Sequence, residues 1–168
     1  MKPTGAFDPT SSDLVLSRRF SATIDDVWAS ITVSERLARW FGTWTGDPST
    51  GTVMVTMNAE PDEYPAVAYH IEACEPPLLL VLHTTDDHGT WHLRAALSGD
   101  GSGTVLELRQ QRVERSSVPD VGPGWEWYLD RLVAALDGSE PPGMDAFEER
   151  YMPLSADYAA LVDDASSS

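Results

Sequence analysis

Apolar and polar residues alternate with a period of two between Gly51 and Arg112, which predicts a series of β-strands in the middle of the chain. The alternating runs are GTVMVTMN, AVAYHIEAC, LLLVLHT, TWHLRAALS and GTVLELRQQR, and they are separated by PDEYP, EPP, DDHG and GDGSG. Connections this short join antiparallel neighbours, because a parallel pair needs a long crossover that usually contains a helix. The pattern therefore predicts an antiparallel meander.

Three shorter elements are predicted before the meander. Residues 14–21, LVLSRRFS, alternate loosely and predict a first strand. Thr23 can then cap a helix that carries Ile24, Val27, Trp28 and Ile31 on one stripe. Ser34 begins a second short helix, SERLARWFG, which is expected to end at Gly42. The chain therefore begins in the order strand, helix, helix.

A helical period of 3.6 residues follows the segment SSVPDVGPG, which is rich in Pro and Gly and predicts a linker. One stripe then collects Trp125, Tyr128, Leu129, Leu132, Val133 and Leu136, which predicts an amphipathic helix ending at Gly138. No other predicted helix is long enough to cover a sheet of about six strands. We therefore expect this helix to lie against the apolar face of the sheet.

Composition and charge limit the kinds of molecule that the chain is expected to bind. The chain has 168 residues, enough for one domain with a sizeable core, and a formal charge of −16. That charge repels phosphate backbones and anionic lipids, so nucleic acid and membrane surfaces are not expected partners. The single Cys74 and the absence of a signal peptide or a long apolar run predict a soluble, cytoplasmic protein.

No catalytic residue, metal site or cofactor is predicted from the motifs. If DDHG is a hairpin turn, His83 lies opposite His92 and Leu82 lies opposite Leu93 on the other face. The leucines are the better candidates for the interior, which places the two histidines outward, and no third metal ligand can be named. The chain also lacks a GxSxG elbow and a glycine-rich phosphate loop.

Aromatic and apolar residues of the predicted sheet and helices could instead line a cavity. The candidate ligand-binding residues are Trp28, Trp40, Tyr69, Trp91, Leu93, Leu108, Gln110, Trp125, Tyr128 and Leu129. The same residues could also simply pack as a core, and both alternatives stay open at this stage. Gln110 favours a pocket, because an inward amide needs a partner, for which a ligand oxygen, a water molecule or Tyr69 would serve.

The order of these elements, together with short motifs, resembles the SRPBCC or START-like superfamily. The motifs are TIDDVWASIT after the first strand, WF in ERLARWFG, EPP before LLLVL, GT opening GTVLELRQQ, and GW heading the last long helix; they span residues 14–137. Within the superfamily the likeness is to the activator-of-heat-shock-ATPase homology family. The resemblance implies an α+β helix-grip fold: a curved antiparallel sheet of about six strands around a long C-terminal helix, with two short helices after the first strand.

The resemblance also implies a cavity for an apolar or amphipathic molecule. We expect a flexible tail over residues 1–12, a helix-grip ligand-binding domain over 13–138, and a C-terminal helical extension over 139–168. The extension is an addition to most relatives and could dock on the core or on a second copy or partner. The leading hypothesis is binding of a hydrophobic small molecule; the alternatives are a polyketide cyclase or aromatase-like enzyme and a co-chaperone-like interaction module.

Overall fold

The computed structural model describes residues 1–167 and contains one antiparallel sheet with helices on one side. The strands are β1 Ala6–Asp8, β2 Asp13–Phe20, β3 Gly42–Thr45, β4 Thr52–Met57, β5 Val67–Glu75, β6 Leu79–Asp86, β7 Gly89–Gly99 and β8 Thr104–Gln111. The helices are α1 Ile24–Thr32, α2 Ser34–Leu37, α3 Val118–Asp137, α4 Met144–Ala146 and α5 Leu154–Ser166. The α+β helix-grip class is confirmed.

The sheet has the strand order β1-β2-β8-β7-β6-β5-β4-β3, and β4 to β8 form the predicted meander. It has eight strands within residues 1–167 where we expected about six. The two additional strands lie at the two edges and have three and four residues, too few for a period of two to be recognised. Residues 6–8 pair with β2, so the expectation of a flexible tail over residues 1–12 is wrong for this segment.

The hairpin between β6 and β7 has the predicted register. His83 pairs with His92 and Leu82 with Leu93, with the turn at residues 86–89. Because successive side chains in a strand point to opposite faces, the leucines and histidines of these pairs lie on opposite sides of the sheet. The leucines face the helices, as expected.

The long helix α3 begins at Val118, seven residues before the predicted start at Trp125. Pro119 is tolerated in the first turn, where backbone N–H groups have no helical partner. Pro123 lies in the second turn and removes only one hydrogen bond. Gly122 allows the ring of Tyr158 to pack on the helix, since a Cβ atom there would lie 2.6 Å from that ring. Packing of Tyr158 on Gly122 therefore outweighs the tendency of the Pro- and Gly-rich segment to form a linker.

The other predicted helices differ less from the structure. Helix α2 ends at Leu37, and residues 38–41 form turns before β3 begins. Gly42 starts β3 rather than ending a helix, because its backbone passes close to the Thr56 carbonyl and leaves no room for a Cβ atom. Within residues 1–167 no helix is long and apolar enough to cross a bilayer.

The C-terminal extension packs on the chain's own helix α3. It consists of α4, a π-helical turn at Phe147–Tyr151, and α5; Ser168 lies outside the described residues. Its residues Tyr151, Leu154, Tyr158 and Val162 are buried. Of the two docking alternatives, the structure contains the intramolecular one.

A buried carboxylate joins the N-terminal segment, the sheet and the extension. The Glu126 side chain is 1% exposed and accepts hydrogen bonds from Tyr158 Oη at 2.6 Å and Arg18 Nη2 at 2.6 Å. Thr4 adds its backbone N–H at 2.5 Å and its hydroxyl at 2.8 Å. Burial raises the pKa of Glu126, but these donors outweigh burial and hold the pKa below its ordinary value. Glu126 therefore remains ionised in the interior.

Candidate ligand cavity

A cavity of about 270 Å³ lies between the concave face of the sheet and helices α1 and α3. Its position follows from where α3 lies. This helix covers the β2 side of the sheet, where Leu14 and Leu16 are completely or almost completely buried. On the central strands, the inward-facing Leu82 and Leu93 line the cavity and are only half-buried. The helices therefore leave part of the concave face uncovered.

Six aromatic side chains form much of the cavity wall: Trp28, Trp40, Phe41, Trp44, Tyr69 and Trp125. Three of the indole groups are fixed by hydrogen bonds from their N–H groups to other parts of the chain. Trp40 donates to the Ser30 carbonyl at 2.9 Å, and Trp44 donates to the Thr32 carbonyl at 2.8 Å. With their polar atoms bound, these indoles present apolar surface to the cavity.

Seven of the ten predicted ligand-binding residues line this cavity. They are Trp28, Trp40, Tyr69, Leu93, Leu108, Trp125 and Leu129. The sequence pattern thus identifies parts of the helical wall, the sheet wall and α3. The other three predicted residues, Gln110, Trp91 and Tyr128, lie outside the lining.

Each of the three remaining residues has a partner within the chain. Gln110 points inward and is buried, but its Oε1 accepts a hydrogen bond from Trp125 Nε1 at 2.7 Å. Trp91 donates its N–H to Asp86 Oδ2 at 3.0 Å near the hairpin turn. The Tyr128 hydroxyl donates to Glu60 Oε1 at 2.8 Å. In this structure Gln110 therefore orients a wall residue, and its direct contact with a ligand stays a prediction.

Cys74 is a wall residue that the sequence pattern misses. Strict alternation from Tyr69 and Ile71 would turn Ala73 inward, and Cys74 outward. A β-bulge between Ile71 and Ala73 shifts the register, so that Cys74 pairs with the inward-facing Leu80. A bulge of this kind leaves no recognisable signal in the period of two.

Three exposed wall residues mark the opening of the cavity. Pro48, Cys74 and Pro76 line the cavity and are also exposed to solvent. Cys74 carries a free thiol. The opening therefore lies beside the connection from β5 to β6, and a thiol at its edge can report whether the cavity is occupied.

The cavity wall carries no formal charge. Among residues 1–167, its lining contains no Asp, Glu, His, Lys or Arg, and its titratable side chains are Tyr69 and Cys74. Burial, with a smaller contribution from the charge of Asp86, raises the pKa of Tyr69 to about 12. Tyr69 therefore stays protonated at neutral pH and can donate a hydrogen bond. The arrangement suits an uncharged, mostly apolar molecule.

Three of the four histidines lie on the opposite, convex face of the sheet, and His88 lies in the turn between β6 and β7. The ring centroids of His70 and His83 are 4.7 Å apart, and those of His83 and His92 are 6.0 Å apart. His83 Nδ1 lies 2.7 Å from Glu72 Oε1. Within the described part of the chain, no three His, Cys, Asp or Glu side chains are placed to hold a metal ion.

Comparisons with known proteins agree with the motifs found in the sequence. A family model described as Activator of Hsp90 ATPase homolog 1-like protein matches residues 21–137. This match confirms the family resemblance and stops immediately before the C-terminal extension. No curated protein matches the chain.

Several solved structures are similar to this one. The crystal structure of CalU16 from Micromonospora echinospora is 26% identical, with a TM-score of 0.74, and the match covers 94% of each chain. The solution structure of the protein encoded by BPP1335 from Bordetella parapertussis is 24% identical, with a TM-score of 0.73, covering 94% of this chain and 93% of that one. These coverages mean that most of the extension also has a structural counterpart in both proteins.

A further solved structure matches a smaller part of the fold. DynU16, described as a protein in the dynemicin biosynthetic locus, is 21% identical, with a TM-score of 0.65. The match covers 77% of this chain and 48% of that chain. At this identity the likeness concerns the fold alone.

Proposed function

Because the chain belongs to the family of Activator of Hsp90 ATPase homolog 1-like proteins, and because its helix and sheet enclose an apolar cavity, we propose that it binds a hydrophobic small molecule. The observation that carries the proposal is the uncovered concave face of β5 to β7. Leu82 and Leu93 are apolar and face inward, yet no side chain of the described residues buries them fully. A ligand at this position would remove their surface from water, which is favourable.

The size of the cavity is consistent with this proposal. An engineered apolar protein cavity of about 150 Å³ binds benzene. The cavity of about 270 Å³ is larger by nearly a factor of two, which is room for a molecule of two or three fused rings. It is open beside Cys74, so a ligand has a path of entry.

An enzymatic function of the cyclase or aromatase type has less support from the same geometry. Such chemistry needs a group in the cavity that moves a proton near neutral pH. The raised pKa of Tyr69 makes its hydroxyl a poor base, and the described lining offers no carboxylate or imidazole. We therefore favour binding over catalysis.

An interaction module acting through the C-terminal extension also has less support. Two of the extension's aromatic side chains that could have contacted another protein, Tyr151 and Tyr158, are buried against the chain's own helix. Their hydroxyl groups donate to Asp130 and Glu126 of that helix. The extension therefore uses its apolar face within the chain.

Titration with an uncharged fluorescent probe tests the proposal. N-phenyl-1-naphthylamine becomes fluorescent in apolar surroundings, and we expect saturable binding of one molecule per chain. Ala95 lines the cavity, so Ala95→Phe should weaken binding at least tenfold by filling the space. Ala96→Phe is the matched control, because Ala96 is the next residue of β7 and faces the opposite side. Non-saturable binding, or equal weakening by both variants, would contradict the proposal.

Native mass spectrometry addresses the natural ligand. The protein is purified without detergent, its mass is measured under native conditions, and the complex is then denatured. We expect release of a discrete hydrophobic compound whose mass accounts for the difference between the two states.

A further inference from the structure

Two strong hydrogen-bond donors in the cavity wall, one indole N–H and one phenol O–H, have no acceptor among the described residues. Five of the six tryptophans donate their indole N–H to an oxygen atom of the chain. Trp28 is the exception, since its N–H has no acceptor among residues 1–167. Likewise, the hydroxyl of Tyr69 makes no hydrogen bond to any described residue. Both residues line the cavity.

The two donors come from different walls of the cavity. Trp28 belongs to α1 on the helical side, and Tyr69 belongs to β5 on the sheet side. The other side-chain N–H and O–H donors of the lining are already engaged: for example, the Thr32 hydroxyl donates to the Trp28 carbonyl at 2.7 Å, and Trp125 donates to Gln110. The donors that remain free are therefore the ones that a bound molecule can use.

The rest of the wall limits what that molecule can be. An ionised group would lose its hydration in a lining without a compensating charge, so a charged ligand is disfavoured. Aromatic side chains from both walls favour flat rings, because aromatic groups stack and make edge-to-face contacts. Neither donor atom is fully buried in the absence of a ligand. A ligand that covers a donor without accepting its hydrogen bond would leave it buried and unpaired, which is costly, so a ligand with an acceptor oxygen is favoured.

We propose that the cavity selects an uncharged, planar aromatic molecule of two or three rings that carries at least one acceptor oxygen, such as a carbonyl, for Trp28 Nε1–H or Tyr69 Oη–H. The inference rests on the proposed binding function and gives it a chemical class. It distinguishes oxygenated aromatic molecules from plain hydrocarbons and from carboxylates of the same shape.

A matched set of three-ring compounds tests the class. Fluorenone carries one carbonyl, fluorene is its hydrocarbon counterpart, and fluorene-9-carboxylate carries a negative charge. Quenching of tryptophan fluorescence or calorimetry gives the dissociation constant of each. We expect fluorenone to bind about fivefold more tightly than fluorene for each hydrogen bond formed, and the carboxylate to bind most weakly.

Variants of the two donor residues show which side chain causes any preference for fluorenone over fluorene. Fluorenone has one carbonyl and the two donors lie on different walls. At least one of the variants Tyr69→Phe and Trp28→Phe should therefore reduce the ratio of fluorenone to fluorene affinity while fluorene still binds, and that variant identifies the donor. Tyr128→Phe is the control, because the Tyr128 hydroxyl already donates to Glu60 and lies outside the lining. It should leave the ratio unchanged.

The possible outcomes separate this inference from the proposed function. A fluorenone preference that disappears in at least one of the two donor variants and survives in Tyr128→Phe supports the inference. Equal affinity for fluorenone and fluorene, or a preference that all variants retain, overturns it but leaves hydrophobic binding in place. Absence of saturable binding by any of the three compounds overturns both.

Discussion

Enlarging a side chain in the cavity wall should make the protein more stable, although the same change in a filled core would make it less stable. Ala95 is the most suitable position. It lies on the central strand β7, faces inward and lines the cavity between Leu80 and Leu108, its two cross-strand partners. Ala95→Leu adds three carbon atoms that point into space no other side chain fills.

The size of the effect can be worked out from burial. Each buried CH₂ group contributes about 0.8 kcal/mol, so three carbon atoms contribute about 2.4 kcal/mol. Ordering a leucine side chain costs about 0.5 to 1 kcal/mol of rotamer entropy. The free energy of unfolding should therefore rise by about 1 to 2 kcal/mol, which corresponds to about 2 to 8 °C in Tm for a chain of this length.

Urea denaturation, followed by tryptophan fluorescence and circular dichroism, measures this change. Ala96→Leu is the control: Ala96 lies on the same strand and faces the convex side, so we expect a change within about 0.5 kcal/mol. Overpacking a filled core costs about 1 to 3 kcal/mol. Destabilisation of Ala95→Leu by that amount, with Ala96→Leu unaffected, would show that the space does not exist in solution.

Further predictions concern the buried network and the extension. Tyr158→Phe removes a donor from buried Glu126 and should lower the free energy of unfolding by about 1 to 3 kcal/mol in urea denaturation; no change would mean that this contact contributes little. Because the pKa of Glu126 is lowered on folding, its contribution is fully present above its ordinary pKa of about 4.5 and is lost as pH falls below it. The stability of Glu126→Gln should therefore depend less on pH below about 4.5 than that of the unmodified chain, and parallel curves would contradict this. Gly122→Ala should destabilise the extension, detected as faster proteolysis after residue 138, because its Cβ atom meets the Tyr158 ring; an unchanged rate would refute the contact.

The meander and its register could be predicted from the sequence because short turns allow few alternative pairings of the strands. A turn at DDHG fixes which residues of the two strands lie opposite each other. Once Leu82 and Leu93 are assigned to the inner face, alternation places His83 and His92 on the outer face. Both the pairing and the faces agree with the structure.

Features that depend on long-range packing could not be predicted in the same way. Helix α3 extends back to Val118 through two prolines and two glycines, because Tyr158 from the extension packs on Gly122. Strand β1, at residues 6–8, pairs with β2, the next strand along the chain. It is too short for alternation of apolar and polar residues to be recognised. Local propensity contains no information about either contact.

The site shows the same division between local and long-range information. Alternation along β8 correctly turns Gln110 inward, but it cannot show that Trp125 supplies the hydrogen bond. Trp44 was missed as a wall residue because β3 has only four residues, and Cys74 was missed because of a bulge in β5. Periodicity therefore identified the face of the cavity, while its exact lining required the packed structure.

Nuclear Overhauser contacts between a bound aromatic molecule and the methyl groups of the protein show whether the molecule binds inside the cavity. With fluorene at saturation and methyl-labelled protein, we predict contacts to Leu82 and Leu93, which line the cavity, and none to Leu14 and Leu16, which are buried under α3. Contacts confined to exposed apolar residues such as Leu78 and Met152 would place the ligand on the surface and would rule out binding in the cavity.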